Sequence, residues 1–179
     1  MPQIEIRHAN PADIPGLIEI DHGFKSNYVW QMDLIPDDGQ LAVHFREIRL
    51  PRPVRVEYPR MYRRLAEDWN HRSAVLVGTI EGQPAGYISL SEELSPTTAW
   101  VTDLVVAPDA RRQGIATALV LAGQEWAGQR RDRRMILEMQ SKNIPAIRLA
   151  QKLGYEFCGY NDHYYSNQDI ALFFAQYLR

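Results

Sequence analysis

The sequence contains a single cysteine, Cys158, so no internal disulfide can form and nothing points to an oxidising compartment. It has no apolar run approaching the ~20 residues that cross a bilayer, so no membrane partner is expected. Its formal net charge is only −2, which provides no global field for nucleic acid or anionic lipid, and no nucleic-acid partner is expected. Its five histidines, at 8, 22, 44, 71 and 163, lack ligand spacing, so no metal site is expected. There is no internal repeat and no low-complexity tract. The start, Met1-Pro2-Gln3-Ile4-Glu5, has neither the basic nor the apolar region of a leader, which makes a cytoplasmic protein the expectation. What is present is ordinary: 45% hydrophobic and 23% charged residues in 179, the profile of one soluble domain spanning residues 1–179.

Ile4 and Ile6 alternate with charged residues and predict a short strand. Asn10-Pro11-Ala12-Asp13 reads as a helix start with Asn10 as cap. Residues 23–59 carry Pro36, Pro51, Pro53 and Pro59, which break the segment into loops and short extended pieces. Arg46, Arg49, Arg52 and Arg55 recur there every third residue and read as solvated charge. Met61, Leu65 and Trp69 mark a helix. Ala74–Ile80 and Ala85–Leu90 are strands joined by a tight turn at Glu81-Gly82-Gln83. Trp100–Val106 and Met135–Met139 are strands, and Gln113–Gln129 is a helix. Asn143 caps another helix that Gly154 stops; Tyr155–Tyr160 and Asp169–Phe174 finish as strands. The alternation after residue 98 predicts an α/β sheet with a parallel portion.

The stretch that carries chemistry is Leu104-Val105-Val106-Ala107-Pro108-Asp109-Ala110-Arg111-Arg112-Gln113-Gly114-Ile115-Ala116-Thr117. A buried strand runs through a turn with two arginines and a glycine directly into a helix. The helix start offers unpaired N–H groups and partial positive charge, and Gly114 lets a ligand approach the backbone. This is an anion site suited to a pyrophosphate. It lacks the Gly-Lys-Ser/Thr of a nucleotide-hydrolase phosphate loop, and one glycine cannot make a dinucleotide fingerprint.

Arg111-Arg112-Gln113-Gly114-Ile115-Ala116 resembles the Gln/Arg-x-x-Gly-x-Gly/Ala signature of the GNAT superfamily of acyl-CoA N-acyltransferases. The strand ends Leu104-Val105-Val106 and Leu137-Glu138-Met139 are similar to the family's, as is Asn143-Ile144-Pro145-Ala146 leading to Lys152-Leu153-Gly154-Tyr155. The likeness covers residues 73–160 well. Within the family, Ala99-Trp100-Val101-Thr102-Asp103-Leu104 and Phe45-Arg46-Glu47-Ile48-Arg49-Leu50 resemble streptothricin acetyltransferase-like members. The resemblance implies a mixed, mostly antiparallel sheet with a splayed parallel strand pair and flanking helices. It implies acetyl-CoA as co-substrate, its pantetheine arm along Leu104, Val105 and Val106 and supported by Asn143. The pyrophosphate would lie at Arg111, Arg112, Gln113, Gly114, Ile115, Ala116 and Thr117.

The implied reaction is direct attack of a primary amine on the thioester, with a small-molecule amine as acceptor. Protein N-termini or lysines are the alternative acceptors, and a non-catalytic acyl-CoA sensor is the reading from another class. A homodimer is compatible with all of these. Many members carry a tyrosine where this chain has Ala150, a residue thought to protonate the leaving thiolate. Tyr164, in the His163-Tyr164-Tyr165 cluster, is the expected replacement. Asp103, a carboxylate in an apolar strand, is the candidate base or relay, with a structural hydrogen-bonding role as its alternative. Glu92 and Glu93 are acids placed to face a substrate or to be solvated.

Overall fold

The computed structural model describes residues 3–179; Met1 and Pro2, part of the start read above for a leader, lie outside them. Among the described residues nine strands form, in chain order β1 (Ile4–His8), β2 (Phe24–Asp37), β3 (Gln40–Val56), β4 (Ala74–Ile80), β5 (Gln83–Ser91), β6 (Thr98–Val106), β7 (Arg134–Gln140), β8 (Glu156–Asn161) and β9 (Ala171–Tyr177). The α-helices are α1 (Ile14–Glu19), α2 (Leu65–Asp68), α3 (Ile115–Gln129) and α4 (Ile144–Lys152). Seven strands make one sheet in the order β1-β4-β5-β6-β7-β9-β8. Every neighbouring pair in it is antiparallel except β6–β7.

The strands follow from apolar runs long enough to be buried on both faces. In β4 all of Ala74–Thr79 are buried. The β4–β5 turn is tight because Glu81 and Gly82 both take left-handed φ angles, 50° and 77°. On one face Ile115 and Leu119 of α3 and Ile144, Ile147 and Ala150 of α4 join Ile88, Leu90, Val101, Leu137 and Met139 in the main core. On the other, Ile14 and Leu17 of α1 and Leu65 of α2 cover Val75, Val77, Tyr87 and Val105.

The change of face along β6 has a local cause. Ser89 pairs with Asp103 but Leu90 pairs with Val101, so Thr102 is an extra residue, a β-bulge. Side chains alternate across a strand, and one inserted residue reverses the alternation. Val101 therefore faces the main core while Asp103 and Val105 face α1 and α2.

Residues 24–56 depart from the sequence reading. Instead of loops and short pieces they form a long two-stranded ribbon, β2 paired with β3 from Phe24↔Val56 to Asp37↔Gln40. Pro51 and Pro53 fall where the register shifts, between Ser26 and Tyr28, and Pro36 sits beside the tip. In a ribbon each strand has an unpaired outer edge, where a residue without an N–H is tolerated. The ribbon packs through Trp30 and Phe45 on Phe174, Phe157 and Tyr160, and Trp30 N–H donates to Ser141 O at 2.9 Å. The helix expected around Leu65 is a single α-turn flanked by 3₁₀ turns at Tyr62–Arg64 and Trp69–His71. Asn10 caps a turn rather than the helix, accepting from Ala12 N–H, while Asp13 bridges Arg7 at 2.7 Å.

Candidate active site

β6 and β7 pair in parallel only from Thr98↔Arg134 to Val101↔Leu137. Beyond that β6 is held on its outer side by β5 as far as Val106, and β7 by β9 as far as Gln140. The two strands therefore splay and leave a wedge between Leu104–Val106 and Glu138–Gln140. At Gly86 an added Cβ would lie 2.5 Å from Val105 O, so glycine there lets β5 hold β6 closely through the splayed part.

The wedge opens into two cavities. The outer one, about 580 Å³, is lined by Leu104, Val105 and Val106, by Arg111, Arg112, Gly114, Ile115 and Ala116, and by Asn143. Nine of the eleven residues expected at the cofactor thus share one cleft. Gln113 and Thr117 do not line it; Gln113 turns back to donate to Asp109 O at 3.1 Å. Gly114 precedes α3 with φ 93°, a left-handed geometry that favours glycine, and nothing lies within 4 Å of where its Cβ would be. Arg112 is also left-handed, at φ 65°. Such backbone in a turn ahead of a helix gathers N–H groups toward one side, a concave anion cradle. The cleft is large and cationic enough for a pyrophosphate, and its β6 wall offers unpaired strand edge for an amide-bearing arm.

Arg111 does not point freely into this cradle. Its Nε donates to Val106 O at 3.0 Å and its Nη2 to Gly23 O at 2.9 Å and Asp21 O at 3.3 Å. Burial pulls its guanidinium below the ordinary arginine value, and the nearby Arg55 acts in the same direction. Arg111 thus ties the foot of the ribbon to the end of β6. Lys25 and Arg55 from the ribbon line the cleft as well, which the sequence did not indicate. Asn143 accepts from Ala146 N–H at 3.1 Å, the expected helix cap, while its side chain lines both cavities.

The inner cavity is small, about 50 Å³, and ends at Arg60, Glu138 and Tyr165. It shares Tyr58, Leu104, Asn143, Ala146 and Leu149 with the outer cleft, so these five form the throat between the two. Tyr58 is the only titratable side chain among them. It donates to Asp103 Oδ1, and burial, followed by the Asp103 charge, holds its phenol well above the usual tyrosine value. Asp103 also accepts from Arg72 Nη1 at 2.9 Å and Thr102 Oγ1 at 3.1 Å. Its carboxylate is therefore an ion-paired anchor behind the throat.

Ala150 is fully buried in the main core and lines neither cavity; Ala146 and Leu149 are the α4 residues that do. Tyr164 also lines neither: its hydroxyl donates to Glu138 Oε2 at 3.4 Å from outside the inner cavity, and its neighbour Tyr165 lines the wall instead. Glu138 was missed as a site residue. Its buried carboxylate accepts from Arg60, from Trp100 Nε1 at 2.8 Å and from Tyr165 at 3.1 Å. The available signal was a lone acid in an otherwise apolar strand, Met135-Ile136-Leu137-Glu138-Met139. Glu92 pairs with Arg130 just beyond α3, away from the wedge.

The acetyltransferase (GNAT) family model matches residues 42–155. Streptothricin acetyltransferase of Streptomyces lavendulae is 28% identical over 167 residues, 90% of this chain and 86% of that protein. Among solved structures, nourseothricin acetyltransferase superimposes with a TM-score of 0.81 at 23% identity, covering 98% of this chain and 99% of that one. A putative streptothricin acetyltransferase from Bacillus anthracis str. Ames, in complex with acetyl coenzyme A, gives 0.76 at 18% identity, again over 98% and 99%. At these identities the structural likeness speaks to the fold.

Proposed function

This chain belongs to the acetyltransferase (GNAT) family, and from that premise we propose that it carries an acetyl group from acetyl-CoA to a primary amine of a small molecule. Acetyl-CoA supplies the activated acyl group as a thioester. The observation that carries the reading is the wedge itself, in which the turn at Gly114 opens on an outer cleft that shares five lining residues with a smaller, mostly apolar inner cavity ending at Arg60, Glu138 and Tyr165.

Each part of the chain has a task in this reading. The free edge of β6 at Leu104–Val106 pairs with an extended amide-bearing arm, and the first turn of α3 with Arg112 holds the pyrophosphate. Asn143 adds an amide beside the throat. Leu104, Ala146 and Leu149 exclude water from the reacting carbon, so that two reactants are held at short distance. An amine attacking there must shed a proton, and the phenol oxygen of Tyr58 is positioned to take it. Tyr58 in turn passes its own proton to Asp103, so no phenolate forms, in keeping with a phenol whose ionisation burial opposes. The proton taken up by the leaving thiolate comes from the open side of the cleft. Tyr164, held by Glu138 and lining neither cavity, reaches the throat only by leaving that carboxylate.

The inner cavity supports a small acceptor over a folded protein chain: at about 50 Å³, bounded by Pro59, Arg60 and Tyr165, it admits a slender amine. The test is thiol release from acetyl-CoA across a panel of small amines and of peptides. Release with small amines supports the reading; release with peptide N-termini or lysines alone overturns it.

A further inference from the structure

The inner cavity ends at an ion pair that the transfer chemistry does not use. The Arg60 guanidinium is ion-paired through Nη2 to Glu138 and lies 5.5 Å from the Tyr165 ring centroid and 6.0 Å from that of Tyr164. Glu138 itself is immobilised. Its side chain is 0% exposed, and Trp100, Tyr164 and Tyr165 all donate to it besides Arg60. Four donors fill the four acceptor positions of a carboxylate, so no oxygen is left over for a substrate ammonium.

Arg60 is in the opposite condition. Its side chain is 35% exposed, it lines the cavity, and Nε and Nη1 have no acceptor among the described residues. A guanidinium fixed on one side by an ion pair and two rings presents its remaining donors in a set plane. Moreover, the other carboxylates around this end of the wedge are already engaged by basic side chains. Asp103 is paired with Arg72 at 2.9 Å, and Asp169, which binds the cavity residue Gln140, is paired with Lys142 at 2.5 Å. The uncommitted polar groups at this end of the cavity are therefore donors, Nε and Nη1 of Arg60, which suit a carboxylate and not an ammonium.

We propose that the acceptor is an amine that also carries a carboxylate, and that Arg60 selects it by receiving that carboxylate while Glu138 holds Arg60 in place. The inference rests on the small-molecule acetyl-transfer reading and narrows it. An alkylamine or a polyamine finds no counter-charge at Arg60, and a second ammonium meets the guanidinium itself. Arg60 is here a specificity-determining residue and Glu138 its positioning partner.

The experiment compares linear ω-amino acids with n-alkylamines of equal carbon number, whose amino groups have nearly the same basicity, and with spermidine as a polycation. Because a hydrogen bond between charged groups is worth more than a neutral one, the matched ω-amino acid should exceed its alkylamine by about tenfold or more in kcat/KM. The Arg60→Met, Glu138→Gln double variant removes both charges together and leaves no buried carboxylate unpaired. It should lose this preference, chiefly through KM, with acetyl-CoA affinity by calorimetry as the control for folding. Arg60→Lys, which keeps the charge and loses the planar donors, should retain only part of the preference and serves if the double variant does not fold. Alkylamines or spermidine used as well as the amino acids overturn the inference, as does a preference that survives in the double variant or is undiminished in Arg60→Lys; either result leaves the acetyl-transfer reading standing. Acetylation of no small amine overturns both.

Discussion

Tyr58 donates its hydroxyl to Asp103 across 45 residues of sequence, from a ring that forms part of the throat between the two cavities. The bulge at Thr102 is what turns Asp103 toward that ring and away from the main core. A phenol that receives a proton on one side and gives one to a fixed carboxylate on the other is a relay. Tyr58→Phe keeps the ring in the throat and removes the relay. It should lower kcat about 100-fold, within the usual range for proton transfer by a positioned side chain, with little change in acetyl-CoA affinity. A fall of less than about threefold would return the proton to solvent.

The aromatic tail offers a contrast between neighbours. Tyr165 forms the wall of the inner cavity, and burial pushes its phenol far up, assisted by the Glu138 charge. Tyr164 lies outside and exposed. Tyr165→Phe removes a 3.1 Å donor from Glu138 and should raise KM for the acceptor several-fold, the effect of one lost hydrogen bond of ~1 kcal/mol. Tyr164→Phe should change kcat by less than about threefold; a loss of ~100-fold at unchanged acetyl-CoA affinity would make Tyr164 the thiolate's acid after all.

His22 predicts a pH dependence of stability. It is buried beside the cofactor cleft, stacked on Tyr62 at 4.0 Å, with Nδ1 donating to Ile20 O at 2.7 Å and Nε2 accepting from Tyr87 at 3.0 Å in the neutral tautomer. Burial is the main cause that lowers its pKa below the ordinary 6.5. In the unfolded chain the ring regains that ordinary value and takes up a proton near pH 6.5, while the folded ring does not. Stability should therefore fall as the pH drops below about 6.5 and level off below the folded value. Denaturation midpoints between pH 8 and 5 should decline more steeply in the natural protein than in His22→Gln; parallel curves would show that His22 is not the group responsible.

Much of the second half of the chain was legible in its sequence because its signals are local. Apolar runs with turn residues between them mark β4 to β7, and Asn143 and Gly154 bound α4, Gly154 by its left-handed φ of 82°. The turn ahead of α3 was legible too, since Gly114 at a helix start needs no partner from elsewhere in the chain. The ribbon was not, because its prolines suggest breaks unless one knows that they fall at a register shift and near the tip. The inner cavity was least legible. Tyr58, Arg60, Glu138 and Tyr165 come from three separate segments, and only the splay of β6 from β7 brings them together. Ala150 was read from the sequence as a missing acid, whereas in the fold it is a core residue packed beneath the cleft wall.

Thiol release from acetyl-CoA, measured with a primary amine for the natural protein and for Gly114→Glu, tests the account most directly. Gly114 opens onto empty space in the cleft, so the new side chain fits sterically but puts a negative charge, and strain at φ 93°, where the pyrophosphate is to lie. The natural protein should release thiol only when amine is present, and the variant, folded by circular dichroism, should need about 100-fold more acetyl-CoA for the same rate, a difference of ~2.8 kcal/mol. An unchanged acetyl-CoA requirement in the folded variant, or release that ignores the amine, would contradict acetyl transfer through this wedge.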